Sequence, residues 1–336
     1  MAEDYDYNPG HWQGHDFRSA RAHYDRHVGR SYTKAKAKGT TASDMVPASV
    51  RTESTSPVVI MVDVTGSMGK WPATMFSKLP YLELEGQEYL GPDMEISWAA
   101  IGDAVKGDRY PLQVRDFTKG TDLKVKLEEL IIEGGGGGGG EESYELGALY
   151  YATNCEMPFG VKPLFILVAD EMPYDHVPAS RALHVAKARL DEDQNQSRRA
   201  GRRSNDLSTE EVFEMLKQKF EVYLVHKPYG DGGQTRRRWV QLLGEDHIAD
   251  LQDATRVVDV IFGIFARETN RVDYFQTEIE DRQEVHTPDG KRKVGTVYKA
   301  LQTIHRPTAA DAALVKQRGH STLHRPTRGK KSKGLL

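Results

Sequence analysis

Two apolar runs, each ending in an aspartate, restrict this 336-residue chain more than anything else in it. The first is PVVIMVD, where Val58 through Val62 offer no polar position before Asp63; the second is LFILVAD, from Leu164 to Asp170. A strand with one solvated face alternates apolar and polar residues, so runs without alternation predict central parallel strands covered on both faces. Parallel neighbours need crossovers, and helical spacing follows the first run at Met68, Trp71, Met75, Leu79 and Leu82. Pro72 fits only in a first helical turn, which sets the start of that helix near the TGSM loop.

The same reading continues along the chain. MEISWAAIGDAV predicts a second strand, YPLQVRDF a shorter one beside it, and residues 122–133 a helix that Gly134 to Gly140 stop. From Glu141 the pattern is helical again through Leu146, Leu149, Tyr150 and Thr153. After the second apolar run, Thr209 to Phe220 predicts a helix, EVYLVHKP a strand, and TRRRWVQLLGEDHIADL a helix with a short edge strand. Asp253 to Ala266 then supplies a closing helix with Val257, Val258, Ile261, Phe262 and Phe265 available for burial. Repeated strand and helix units predict an α/β domain over residues 56–272. Its central sheet is doubly wound and mostly parallel, with helices on both faces. Residues 1–55 read as a flexible or partner-wrapping arm, whose aromatic residues Tyr5, Tyr7, Trp12, Phe17, Tyr24 and Tyr32 point to wrapping onto the domain or onto a partner. A charged insertion lies near 176–207, and residues 273–336 read as an irregular extension with a basic tail.

Composition narrows the functional classes. No apolar run is long enough to cross a bilayer, and the N-terminus lacks the apolar core of a secretory signal, so cytoplasmic residence is expected. Cys155, the only cysteine, falls in a predicted helix, where a buried small hydrophobe is expected rather than a nucleophile. A formal charge of −3 argues against a chain committed throughout to nucleic acid. Basic segments at Arg198 to Arg203 and Lys316 to Lys333 leave nucleic-acid or acidic-protein contact open.

Ligands of open α/β sheets gather beyond the carboxyl ends of the strands, where both apolar runs place an aspartate. Two carboxylates converging there need water or a cation. After Asp63 the loop offers Thr65 and Ser67 at alternating positions, and Gly66 permits a tight backbone. Asp63, Thr65, Gly66 and Ser67 with Met68 resemble the first loop of the metal-ion-dependent adhesion site in von Willebrand factor A domains, intracellular branch. The resemblance spans roughly residues 56–270. It implies that Asp63, Thr65 and Ser67 coordinate Mg²⁺, or Mn²⁺ or Ca²⁺, directly or through water. It also implies that Asp170 is the third-loop aspartate and that water or a partner's carboxylate fills the exposed coordination positions. The family's second-loop threonine is missing here. Glu142 is the first choice for that role, and Ser143 and Asp103 are the alternatives. An acidic second loop makes the site more negative, which tightens cation retention and weakens the pull on an external carboxylate.

The sequence carries no strong catalytic signature. The glycine run lacks a Walker lysine and is followed by Glu141 and Glu142; DVTGS lacks the second aspartate of aspartyl phosphatases, though a metal-dependent phosphatase stays a minor alternative. There is no nucleophile elbow, and His176, His184 and His226 read as surface or packing residues. The expected function is therefore non-catalytic: a module that recruits a protein through a divalent cation. The alternative is an assembly component of a larger homo-oligomeric particle, in which the ion only stabilises the domain.

Overall fold

A computed structural model describes residues 22–304, apart from positions 23, 30, 135–138, 178–179, 191–206 and 229. Its centre is a six-stranded sheet of β1 (Pro57–Asp63), β2 (Glu95–Ile101), β3 (Leu112–Val114), β4 (Leu164–Ala169), β5 (Glu221–His226) and β6 (Ile248–Asp250). The spatial order is β3-β2-β1-β4-β5-β6, parallel except for β3 against β2. From β1 the chain moves outward to β2 and β3, then returns to β4 on the other side of β1. The direction of winding thus reverses between β1 and β4, whose ends carry Asp63 and Asp170.

The apolar runs are continuous because both faces of the sheet are covered. Val58, Ile60 and Val62 of β1 belong to one core cluster, while Val59 and Met61 belong to the other. The first cluster is closed by α2 (Trp71–Lys78), α3 (Leu82–Leu90), α4 (Asp122–Glu128) and α9 (Val257–Glu268). Those labels follow α1 (Tyr32–Ala37) in the N-terminal segment. On the opposite face lie α5 (Tyr144–Asn154), α6 (Ser180–Ala186), α7 (Thr209–Lys217) and α8 (Gln234–Leu243). Gly147 lets α5 sit directly on β1, since a Cβ there would lie 2.3 Å from Met61 Sδ. The helix expected from Met68 to Leu82 is in fact broken. Pro80 cannot donate to the helical ladder, and a 3₁₀ turn, Leu79–Tyr81, separates α2 from α3.

Three expectations need correction. The C-terminal region is not irregular from residue 273, because α10 (Val272–Arg282) and α11 (Pro288–Ala300) pack onto α9. Phe275, Ile279, Val294, Val297 and Leu301 join the first core cluster. The described part of residues 1–55 is likewise no flexible lead, and of the two wrappings expected it takes the one onto the domain. Tyr24 is 2% exposed and meets Phe76 at 5.6 Å between ring centroids, while Tyr32 meets Tyr110 edge-on at 6.0 Å. Tyr5, Tyr7, Trp12 and Phe17 lie outside the described residues, as do Arg198 to Arg203 and the basic tail. Finally, Cys155 ends α5 as the first residue of a two-residue strand instead of lying within the helix, and burial pushes its thiol up to about 12.

The C-terminal helices give a direct stability test. Phe275 is 3% exposed in the core cluster, and truncating a buried Phe costs about 3–5 kcal/mol through lost burial and the cavity left behind. Phe275→Ala should lower the urea unfolding free energy by that amount. A change below about 1 kcal/mol would mean that α10 is not part of the cooperative unit.

Candidate metal centre

The site is assembled by the turn after β1, the exit of the glycine run, and the end of β4. Asp63 is fully buried, and its Oδ1 accepts hydrogen bonds from the Thr65 amide at 2.7 Å and the Thr65 hydroxyl at 2.6 Å. These two bonds fold the DVTGS turn back on the strand end. Thr65 Oγ1 lies 3.1 Å from Ser67 Oγ, and Ser67 donates to Asp170 Oδ1 at 3.0 Å. Asp63 and Asp170 are therefore joined by two hydroxyls, with Ser67 half-buried at the open side. The second Asp63 oxygen accepts from the Tyr144 hydroxyl at the start of α5.

The glycine run is tied to this turn at one end and to the segment after β4 at the other. The Gly134 amide donates to the Val64 carbonyl at 3.1 Å, and the Met172 amide donates to the Gly140 carbonyl at 3.1 Å. Both glycines have left-handed φ, 68° and 75°, which a side chain would strain. Glu141 and Glu142 then pair in parallel with Met172 and Pro173. That short ladder holds the glutamates beside Asp170 and Glu171.

Glu142 is completely buried, and neither of its oxygens receives a hydrogen bond from backbone, hydroxyl, ammonium or guanidinium. The carboxyl group against it is that of Glu171. Burial pushes Glu142 strongly upward, reinforced by the charges of Asp63 and Asp103. Asp63 is raised to about 7 by burial and then by Asp170, and Glu171 to about 7 by burial and then by Asp170. Asp63, Asp103, Glu142, Asp170 and Glu171 are each at most 1% exposed. Among the described residues, Lys227 is the one cationic side chain within hydrogen-bond distance of these five, at 2.8 Å from Asp170 Oδ2.

The other second-loop candidates are occupied differently. Asp103 Oδ1 accepts from the amides of Val105 and Lys106 at 2.7 and 3.0 Å, and its Oδ2 accepts from the Tyr174 hydroxyl at 3.0 Å. Its carboxylate therefore shapes its own turn. Ser143 Oγ accepts from the Ala104 amide at 3.0 Å, anchoring α5 to that same turn. Glu142 alone among the three receives no hydrogen bond from a backbone amide or a hydroxyl, and its carboxyl group faces that of Glu171. Sequence reasoning missed Tyr144, Glu171 and Lys227. His176 and His184 are exposed, whereas His226 is buried with Nδ1 2.7 Å from Asp250.

Among the described residues, no group of three or more His, Cys, Asp or Glu side chains forms a metal-ligating set. The donors that converge are mixed: two carboxylates linked by two hydroxyls, with an unsatisfied third carboxyl group nearby. Hard oxygen donors of this kind suit Mg²⁺, Mn²⁺ or Ca²⁺. The Glu142 carboxyl group, which faces another acid and no cation among the described residues, fits a cation, because leaving a buried carboxylate without a compensating charge is strongly unfavourable.

The chain matches no family model and no curated protein. Among solved structures it is similar to the pilus adhesin SpaC from Lactobacillus rhamnosus GG, with 12% identity and a TM-score of 0.40 over 70% of this chain and 31% of that one. The open conformation of that adhesin gives 11% identity and a TM-score of 0.33, over 80% and 30% of the respective chains. The chain thus spans about a third of the adhesin's length. Among the described residues, no helix is long and apolar enough to cross a membrane.

Proposed function

We propose that this chain is a divalent-cation-dependent protein-interaction module of the von Willebrand factor A type, with one ion held directly or through water by Asp63, Thr65, Ser67 and Asp170 and with Glu142 balancing its charge from nearby. The observation that carries this reading is the oxygen chain from Asp63 through Thr65 and Ser67 to Asp170, next to a buried Glu142 with no donor. The strand order, with its reversal between β1 and β4, supports a doubly wound sheet whose ligands gather at that reversal. When bound, the ion would neutralise the converging carboxylates and join three loops. Ser67, half-buried at the edge of the set, leaves a side on which a partner's oxygen can reach the ion. Tyr144 holds Asp63 in place, and the Glu141–Glu142 ladder sets Glu142 beside Asp170.

Calorimetric titration of Mg²⁺ into wild type, Glu142→Gln and Ser143→Ala tests the assignment. Glu142→Gln should weaken the ion by roughly 10- to 100-fold, whereas Ser143→Ala should leave affinity within about threefold. The reverse order would move the second-loop role to Ser143, and no heat of binding in wild type would remove the ion from the proposal. Capture of a partner that survives a chelator would leave the ion a stabilising part only.

A further inference from the structure

Lys227 has a place in this site that the divalent-ion reading does not explain, and the inference drawn from it rests on that reading. Lys227 directly follows β5, where its amide donates to the Ala169 carbonyl at 2.9 Å and fixes it against the end of β4. From there its Nζ donates to Asp170 Oδ2 at 2.8 Å and to the Ser67 carbonyl at 2.7 Å. A single ammonium therefore bridges the first and third loops, which a bound ion would also bridge. This is not a solvated surface pair, because Asp170 is completely buried while the lysine side chain is 22% exposed. Its carboxylate partner has no second cation among the described residues. Asp170 Oδ1 is held by Ser67 and Oδ2 by Lys227, so neither oxygen is idle.

We propose that Lys227 is the resident counterion of the site, which a divalent cation must displace from Asp170. Two cations sharing one carboxylate in a water-poor setting repel one another, so the ammonium opposes the ion for as long as it stays. Without the ion it keeps Asp170 neutralised and ties the third loop to the first. Lys227 thus lowers ion affinity and stabilises the ion-free fold, which makes the ion exchangeable instead of permanently trapped. The Lys227 side chain is free to move outward because it is the one partly exposed member of the pair.

The test is Mg²⁺ calorimetry together with thermal unfolding, with and without chelator, on wild type, Lys227→Met and Lys227→Arg. Lys227→Met should bind Mg²⁺ at least about tenfold more tightly, and its unfolding temperature in chelator should fall. Lys227→Arg, which keeps the charge, should stay within about threefold of wild type. A purely structural lysine would instead lower stability both with and without the ion and leave affinity unchanged or weaker. That result overturns the inference while leaving the ion site intact. If neither wild type nor Lys227→Met binds Mg²⁺, the ion reading itself fails and this inference with it. Should Lys227→Met not fold, the Lys227 side-chain ammonium resonance of wild type serves as the readout. It should move to a solvent-exposed position at saturating Mg²⁺, and an unmoved resonance overturns the displacement.

Discussion

Asp63→Asn is expected to erase the magnesium-dependent rise in unfolding temperature while leaving the ion-free protein at least as stable as wild type. The two halves have separate physical causes. Asparagine keeps the shape of the side chain and an oxygen for the Thr65 amide and hydroxyl, while its amide nitrogen can donate to the Tyr144 oxygen. Above the raised value of Asp63, what it removes is a buried negative charge facing that of Asp170, the repulsion that helps raise Asp63. Without the ion, that loss is neutral or favourable. With the ion, a direct hard-oxygen ligand has gone, and affinity should drop by at least about 100-fold. Wild type at a free Mg²⁺ concentration 100 times its Kd gains about 2.7 kcal/mol, which corresponds to roughly 5–10 °C for a domain of this size. Asp63→Ala should lose the same gain but also fall in chelator, since it cuts three hydrogen bonds and opens a hole. Differential scanning calorimetry of the three proteins, with and without Mg²⁺, distinguishes these outcomes. An undiminished rise in Asp63→Asn would show that Asp63 is not a ligand.

Much of this arrangement can be read from the residues because burial leaves a strong mark. A strand covered on both faces has no use for polar side chains, so the runs ending at Asp63 and Asp170 announce both their depth and their shared end of the sheet. The parts that escaped reading have weak or mixed signals. β3 has three residues and runs antiparallel, and nothing in YPLQVRDF distinguishes its direction. α11 does carry the helical spacing Val294, Val297, Leu301, with Thr287 capping and Pro288 in the first turn, but charged side chains fill its other face and dilute the apolar pattern. Its partner surface is Gly263 on α9, where a Cβ would come within 2.1 Å of Leu301 Cδ1. That close approach becomes visible only once the helices are placed.

The site divides in the same way. Asp63 and Asp170 are adjacent in the fold because they end neighbouring predicted strands, and the turn after Asp63 carries Thr65 and Ser67 to the same edge. Glu142 is a choice among three candidates, and the hydrogen bonds that favour it are encoded by no spacing: Ser143 and Asp103 are each spent on the turn after β2. Tyr144 and Glu171 sit next to residues already singled out, yet adjacency in sequence does not reveal which way a side chain turns. Lys227 had a usable signal, a cation at the carboxyl end of the apolar strand EVYLVH, one strand over from Asp170. A site that crowds carboxylates should prompt a search for a cationic residue at neighbouring strand ends.

The crowding of carboxylates also fixes how stability should respond to pH, with opposite signs for the ion-free and ion-bound protein. Asp63 moves from an ordinary value of 3.8 to about 7 and Glu171 from 4.5 to about 7, both chiefly through burial, and Glu142 is raised further. Between pH 4 and 7 the unfolded chain has released these protons while the fold retains them, so raising the pH favours unfolding. This stability contribution is complete below the ordinary carboxylate range and is lost as pH climbs through the raised folded values. In chelator, the unfolding temperature should therefore decline from pH 5 to pH 8. A divalent ion takes the place of the retained protons, so its affinity should rise across the same interval and its binding should release protons. The gap between the Mg²⁺ and chelator curves should widen steadily towards pH 8. Titrations at pH 7 in buffers of different ionisation enthalpy should show about two protons leaving per ion bound, about half from each of Asp63 and Glu171 and one from Glu142. Ion-induced stabilisation that is constant or largest at pH 5 would mean that these carboxyl groups are not where the cation binds, because an ion that displaces no protons gains nothing from their removal.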